Sequence, residues 1–494
     1  MDVISRFGGT TMGFLMNHPV LWLVLAAAVF VAVLLIRAAL FRPKPQPRED
    51  HTPVEFDRDA AVAALAALIR CRTVSCNDPA MEDDAQFRKL IDSLPGLYPR
   101  VFDICSVYQL PDRALLLRWP GRKDTAPTVL MAHYDVVDVE EEKWEKPPFD
   151  GIIEDGCLWG RGTLDTKATV NGILSAANHL IGKGFKPEND IYFAFSGCEE
   201  INGPGAPNIV SYFVAHNIRP ALVLDEGGAV VENVFPGVKV PCGLIGIAEK
   251  GMMNVEFSSR SQGGHASAPS RYTPIDRLSR ACGKLHSHPF KMHLTQPALQ
   301  MFDTLGRHSN FGLRIVFANL WCFRPVLDLI CRLSGGELNA LVRTTVAFTQ
   351  MEGSTGRNVI PVEAKMVANM RLNPADTMES ATFYLNKTVH DDHVKIRVLE
   401  GQQPSPVSET NCEAWDKVAA AVSGTWNGCV VSPYLMVQCA DARHYRDLSD
   451  HVYRFSAMDL TAQERKTIHG NNEKIRLETI GKAVEFYIRL MMKC

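Results

Sequence analysis

Hydrophobic and polar positions alternate along this chain in two distinct rhythms, after one opening stretch that follows neither. Val20 to Ile36 (VLWLVLAAAVFVAVLLI) carries no charge over 17 residues, and Ala38 to Phe41 extends the run past Arg37. That is long enough to cross a bilayer with little tilt. The run lacks the short core and small-residue cleavage site of a removed leader. It predicts a single-pass N-terminal anchor. Pro43-Lys44-Pro45-Gln46-Pro47 follows as a stiff linker. Asp57 to Arg70 then places Ala, Val, Leu and Ile at helical spacing. Beyond about residue 99, short apolar runs predict strands at Leu115–Trp119, Thr128–Ala132, Asp190–Ser196 and Pro220–Leu224. Helical periodicity lies between them at Val170–Ile181 and Asn208–Ala215.

Strand–helix alternation of this kind predicts an α/β body, a sheet with helices on both faces. From about Lys250 the rhythm changes. Met252–Ser258, Val342–Gln350, Glu363–Leu372 and His393–Leu399 read as strands, with a helical stretch after the first, which is an α+β pattern. The last 90 or so residues return to α/β, with helical periodicity around Val418 and a closing helix from Leu477 to Met492. The expected organisation is an anchor and linker over 1–49, a first body over 50–249, an inserted α+β unit over 250–404, and the rest of the first body over 405–494. Within the insertion, FGLRIVFANLWCFRPVLDLICRL (Phe311–Leu333) is apolar but interrupted by Arg314, Arg324 and Asp328. It is expected to form buried lid helices, with a greasy acyl-binding or membrane-contacting surface as the alternative reading, and not a second span.

Composition narrows the function classes. A length of 494 residues exceeds one ordinary core. A net charge of −3 offers no polyanion-binding surface, so nucleic acid is not an expected partner. The 13 cysteines form no C-x-x-C pair and predict mostly free, buried thiols. Arg37, Arg42, Lys44 and Arg48 follow the apolar run, against Arg6 before it. The positive-inside rule would then put the body on the cytoplasmic side.

The chemistry sits at strand ends. His133 and Asp135 close one strand as H-x-D. Glu199-Glu200 follow another, Asp225-Glu226 end a third, and Asp165 and His469 lie in loops rich in polar residues and glycine. In α/β sheets such positions gather at one edge. So many acids together would repel one another unless cations held them. Mixed imidazole and carboxylate donors suit Zn²⁺, with Co²⁺ or Mn²⁺ as substitutes.

These segments, in this order, resemble the M20 family of co-catalytic dizinc metallopeptidases and aminoacylases, and within it the carboxypeptidase S and N-fatty-acyl-amino-acid hydrolase branch. The resemblance implies a zinc-exopeptidase-like catalytic domain with a mixed central sheet, an inserted lid domain and two Zn²⁺ per subunit. Asp165 would bridge the metals, His133 and Asp225 would complete one site, and Glu200 and His469 the other. Asp135 would orient His133. Glu199 would serve as general base. A cis peptide would follow the bridging aspartate, at Asp165-Thr166. His265, in Gly263-Gly264-His265, would donate to the developing oxyanion. Asn358 and Arg443 would hold the substrate, Arg443 through its carboxylate. The implied substrate is a small peptide or an N-acyl amino acid, and the implied assembly a monomer or homodimer. A non-catalytic protein on the same scaffold is the competing class. It is disfavoured because the whole ligand set and Glu199 are present.

Overall fold

Apolar residues at consecutive positions, rather than every second one, mark strands covered on both faces, and the central strands here show why. The computed structural model describes residues 19–46, 49–233, 235 and 237–494. The chain first lays down β1 (Ser106–Leu110), β2 (Ala114–Trp119), β3 (Lys123–His133), β4 (Asn189–Ser196), β5 (Leu222–Asp225), β6 (Val230–Val231) and β7 (Cys242–Glu249). It leaves to build β8 (Gly251–Arg260), β9 (Thr345–Glu352), β10 (Glu363–Leu372) and β11 (Val394–Gln402), and returns for β12 (Val430–Met436), β13 (Val452–Arg454) and β14 (Asp459–Leu460). The first sheet has ten strands in the order β1-β2-β4-β3-β5-β13-β7-β6-β14, with β12 beside β7. It is mixed: β4, β3, β5 and β13 run parallel, β1 and β2 pair antiparallel with their neighbours, and β6 is antiparallel to β7 but parallel to β14.

Besides Asp84–Leu97, Pro99–Ile104 and Ala462–Arg465, the helices are α1 (Pro19–Leu40), α2 (Arg58–Ile69), α3 (Lys167–Gly182), α4 (Gly205–Ala215), α5 (Pro274–Ser287), α6 (Gln296–His308), α7 (Phe311–Ala318), α8 (Leu320–Ser334), α9 (Gly336–Val342), α10 (Met378–Val389), α11 (Glu413–Thr425) and α12 (Leu477–Met491). Leu117, Leu130 and Phe193 bury one face of the sheet against α3, α11 and α12, through residues such as Val170, Val418 and Val484. Their neighbours Leu116, Val129 and Tyr192 bury the other face against Ile209 and Phe213 of α4. Asp57 caps α2 by accepting from Ala60 N.

The second sheet, ordered β9-β10-β8-β11, has a core of its own. Met253, Val255 and Phe257 of β8 meet Met366, Ala368 and Met370 of β10, under Leu278 of α5 and Leu385 of α10. Helices α6 to α9 do not join that core. Phe302 and Phe317 stack on Phe235, with ring centroids 5.9 and 4.8 Å away, in the same cluster as Leu244 and Met436 of the first sheet. The expectation of buried lid helices is corrected here. Phe317, Ala318, Leu327 and Cys331 are buried, but Phe311, Trp321, Val326, Leu329, Ile330 and Leu333 are exposed. A short amphipathic pattern hides one stripe only, and α8 is apolar on both sides.

One buried ion pair ties the two runs of the first body together. Arg454 Nε of β13 lies 3.1 Å from Glu249 Oε2 of β7, both side chains being buried, and the same oxygen accepts from Ala440 N at 3.1 Å. Removing one partner strands the other charge in the interior. Glu249→Ala is expected to destabilise the fold by about 3–5 kcal/mol, seen as a lower denaturant midpoint at unchanged slope.

Candidate metal centre

Because β3, β4 and β5 are parallel, their carboxyl ends reach one edge, and each delivers acids or a histidine there. His133 is the last residue of β3 and pairs in register with Ser196. Glu199 and Glu200 stand in the turn after β4, and Glu226 just beyond β5. Asp165 precedes α3, and its bond to Thr166 is cis. His469 comes from the loop before α12.

Asp165 is the hub. Its Oδ1 lies 2.9 Å from His133 Nε2, and its Oδ2 lies 3.0 Å from His469 Nε2. His133 Nε2 is also 3.3 Å from Glu226 Oε1, and His469 Nε2 is 3.1 Å from Glu200 Oε2. Two triads result, His133/Asp165/Glu226 and Asp165/Glu200/His469, the ligand atoms of each lying within 4.8 Å of one another. Each offers one imidazole nitrogen and two carboxylates around a shared aspartate, a donor set that fits a pair of divalent cations. Glu200 Oε1 is buried without a hydrogen-bond partner, which fits an oxygen meant for a cation.

Asp225, expected as a ligand, is a member of neither triad. Its Oδ1 accepts from Glu226 N at 2.9 Å and its Oδ2 from Ala442 N at 2.7 Å, so both oxygens are committed to backbone. Neighbouring side chains at a strand end point to opposite sides. A one-residue shift therefore exchanges Glu226, facing the cluster, for Asp225, facing the fold. Asp135 also differs from expectation in detail. Its carbonyl, not its carboxylate, is the nearer partner of His133 Nδ1, at 3.0 Å, which leaves Nε2 to face the cluster. The Asp135 carboxylate accepts from Glu199 N and Glu200 N, each at 3.1 Å, and from Ser75 Oγ at 2.6 Å. It shapes the turn that presents both glutamates.

Glu473, which sequence reasoning gave no role, does the same for Asp165. Its Oε1 accepts from Leu164 N at 2.6 Å and Asp165 N at 3.3 Å, while Oε2 pairs with Arg161 Nη1 at 2.6 Å. It sits four residues after His469, so it fixes the two loops that supply one triad. A lone buried glutamate in a polar loop carries no sequence signal of that duty.

The electrostatics follow from crowding. Burial first, then a neighbouring carboxylate's charge, raises Glu226 to about 8, Asp441 to about 7, and Glu199 well above the ordinary range. Those neighbours are Asp165, Asp225 and Asp441 respectively. Hydrogen bonds to Asp165 and Glu200 raise His469 to about 10. Burial works to raise Asp165, but its bonds to both histidines outweigh that and lower it.

The cluster opens into a cavity of about 480 Å³. Glu199, Glu200, Glu226, Asp165 and His469 line one part of it, and Val231, Leu244, Tyr434, Met436, Met458 and Leu460 form apolar wall. Three further expectations fall outside this lining. His265 and Asn358 are exposed; His265 sits on the short ladder Gly264–His265 with Val359–Ile360, its Nδ1 2.7 Å from Ser267 Oγ, and Asn358 immediately precedes that ladder's second strand. That ladder belongs to the rim of the second sheet's body. Arg443 is buried in the turn Asp441–Tyr445, donates to Asn202 Oδ1 at 2.9 Å, and lies 3.9 Å from Glu199 Oε1. It supports Glu199 from beneath. The guanidinium in the cavity wall is Arg465, 3.7 Å from Glu337.

A family model described as "Peptidase family M20/M25/M40" matches residues 129–493. Probable carboxypeptidase S-like 2 of Dictyostelium discoideum is 34% identical over 435 residues, covering 86% of this chain and 83% of the relative. N-fatty-acyl-amino acid synthase/hydrolase PM20D1 of Xenopus tropicalis is 34% identical over 474 residues, covering 94% and 92%. Among solved structures, the M20 family metallo-carboxypeptidase Sso-CP2 from Sulfolobus solfataricus superposes with a TM-score of 0.65 at 16% identity, covering 87% of this chain and 98% of that one.

Two outcomes check the geometry. Glu226→Ala is expected to lower the metal bound per chain, measured by plasma mass spectrometry, whereas Asp225→Ala keeps the metal and loses stability. Glu473→Gln is expected to weaken metal affinity about 10–100-fold, read by competition with a chromogenic chelator.

Proposed function

The chain belongs to peptidase family M20/M25/M40, and from that footing we propose that it hydrolyses the amide bond of N-acyl amino acids, fatty-acylated ones in particular, as a membrane-anchored dizinc enzyme. The observation that carries this reading is the cavity itself, which joins a carboxylate and imidazole cluster to an apolar wall. The relatives named N-fatty-acyl-amino acid synthase/hydrolase support the acyl group. A second reading, a peptidase acting at a free C-terminus, rests on the relatives named carboxypeptidase S-like. Both readings share the same chemistry.

His133, Asp165 and Glu226 would hold one Zn²⁺, and Asp165, Glu200 and His469 the other. Bound there, the two cations supply a water acidified towards neutral pH and polarisation of the scissile carbonyl. Glu199 takes up the water's proton and returns it to the leaving nitrogen. Its position suits that duty. It lines the cavity, its backbone N is held by Asp135, and burial and Asp441 raise its proton affinity. Arg443 lies close enough to steady the carboxylate when it ionises. Arg465 is the group we assign to the substrate's free carboxylate, in place of Arg443, because its guanidinium belongs to the cavity wall. The aliphatic and methionine wall takes the acyl chain. α1 fixes the body at a bilayer.

The zinc-loaded protein is to be assayed on dipeptides and on short- and long-chain N-acyl amino acids. Long-chain N-acyl amino acids are expected to give the highest kcat/KM, and a preference for dipeptides would favour the peptidase reading. Glu199→Gln is expected to lower kcat by about 10²–10⁴ with metal content intact. Activity that survives this change would exclude Glu199 as the base. Arg465→Ala is expected to raise KM for substrates with a free carboxylate while sparing their amidated analogues.

A further inference from the structure

The apolar stripe on α8 has no cover among the described residues, and the structure shows what stands beside it. Val326, Leu329, Ile330 and Leu333 are spaced at i, i+3, i+4 and i+7, all exposed, Leu333 to 78%. Trp321, near the start of the helix, is 60% exposed on a different side from this stripe. The helix's charges are tied elsewhere. Asp328 pairs with Arg343 and with Arg332, and Arg324 donates to Met292 O at 3.2 Å.

The neighbour is α1. Arg37 donates to Ala318 O, the last carbonyl of α7, through Nε at 3.2 Å and Nη2 at 2.9 Å. That carbonyl terminus is where a cation is best placed. Asn319 Nδ2 donates to Leu34 O at 3.2 Å, and Phe30 meets Trp321 edge-on at 6.0 Å. Further on, Arg307 stacks over Phe41 at 4.3 Å, and Lys44 pairs with Asp303 at 2.7 Å. Thus α1 is held along the α7–α8 hairpin rather than swinging free on its linker.

This contact sets a depth. Val20–Leu40 has 21 residues, which at 1.5 Å per residue is roughly the thickness of a bilayer's hydrocarbon core. Phe30 is the eleventh of these 21 residues, ~15 Å from either end of the span. Trp321, level with Phe30, therefore shares that depth whenever α1 spans a membrane. Trp321 Nε1 is already directed at Asn319 Oδ1, 3.4 Å away, so its donor has a partner inside the protein.

We infer that the exposed face of α7–α8 is a second membrane-contact surface, seated in the bilayer beside α1. The inference rests on α1 being the anchor. It also gives the catalytic cavity a place. α8 ends in Gly335-Gly336, both at positive φ (61° and 55°), and the next residue, Glu337 of α9, lines the cavity with Arg465. The end of the stripe, Leu333, is four residues from that wall. An amphiphile with its chain among the lipids and its carboxylate at the surface has a short path from bilayer to cavity.

The test uses the full chain in phosphatidylcholine vesicles doped with a phosphatidylcholine carrying a diazirine in its acyl chain. After illumination, labelled peptides are mapped by mass spectrometry. Label is expected in 20–36 and in 321–333, and not at Phe383, which is 69% exposed on α10. Label in 20–36 without 321–333 would overturn the inference and leave the anchor standing. Label in neither would overturn the anchor and the inference together. In a second arm, Leu329→Asp with Leu333→Asp is expected to cut turnover of a vesicle-borne long-chain N-acyl amino acid about tenfold, with turnover of a short, water-soluble one unchanged. Equal turnover of the vesicle-borne substrate by variant and wild type would contradict the path.

Discussion

The structure is organised around one aspartate whose two oxygens face two imidazoles. Asp165 lies between His133 and His469, and every nearby arrangement serves that placement. The parallel strands bring His133, the two glutamates and Glu226 to one edge. Glu473 and Arg161 pin the Asp165 loop, and Asp135 shapes the turn of Glu199 and Glu200. So concentrated a set of buried acids is electrostatically costly unless positive charge stands among them. That cost gives the donor set its physical meaning.

Around this cluster the chain divides its labour between elements. The first sheet positions chemistry, with apolar faces on both sides that leave its strands little freedom. The second sheet has a separate core and carries His265 on an exposed ladder, with Asn358 just before its second strand, apart from the cavity lining. Helices α6 to α9 bridge between these bodies and α1, packing on the first through Phe235 and holding the second's ends through Lys250, whose Nζ donates to Ala340 O and Arg343 O at 3.0 and 2.8 Å. One helical segment thus touches the anchor, the cavity and the junction of the two sheets.

Much of this was legible in the sequence, and the failures have physical causes. Strand β10 was expected at its observed bounds, and β4, α3 and α12 within three residues at either end, because long apolar runs and strong periodicity fix such elements locally. His133, Asp165, Glu200 and His469 stood out at strand ends and in loops and were assigned to metal through the family resemblance, and they lie together in the two triads. Asp225 was expected as a ligand from the resemblance alone, and a strand's two-residue period separates its direction from that of Glu226 only in three dimensions. Arg443 and Arg465 differ by burial against Asn202 or presence in the cavity wall, which no local pattern encodes. The stripe of α8 was read as buried because an apolar helix gives no sign of which side the protein covers.

The most direct test of this account is the metal content of Asp165→Asn against the wild type, with folding checked by circular dichroism and metal counted by plasma mass spectrometry after zinc loading. A shared bridging carboxylate predicts two ions per chain in the wild type and loss of both from the variant. A folded Asp165→Asn protein that still held two ions would contradict the claim that one aspartate organises the centre.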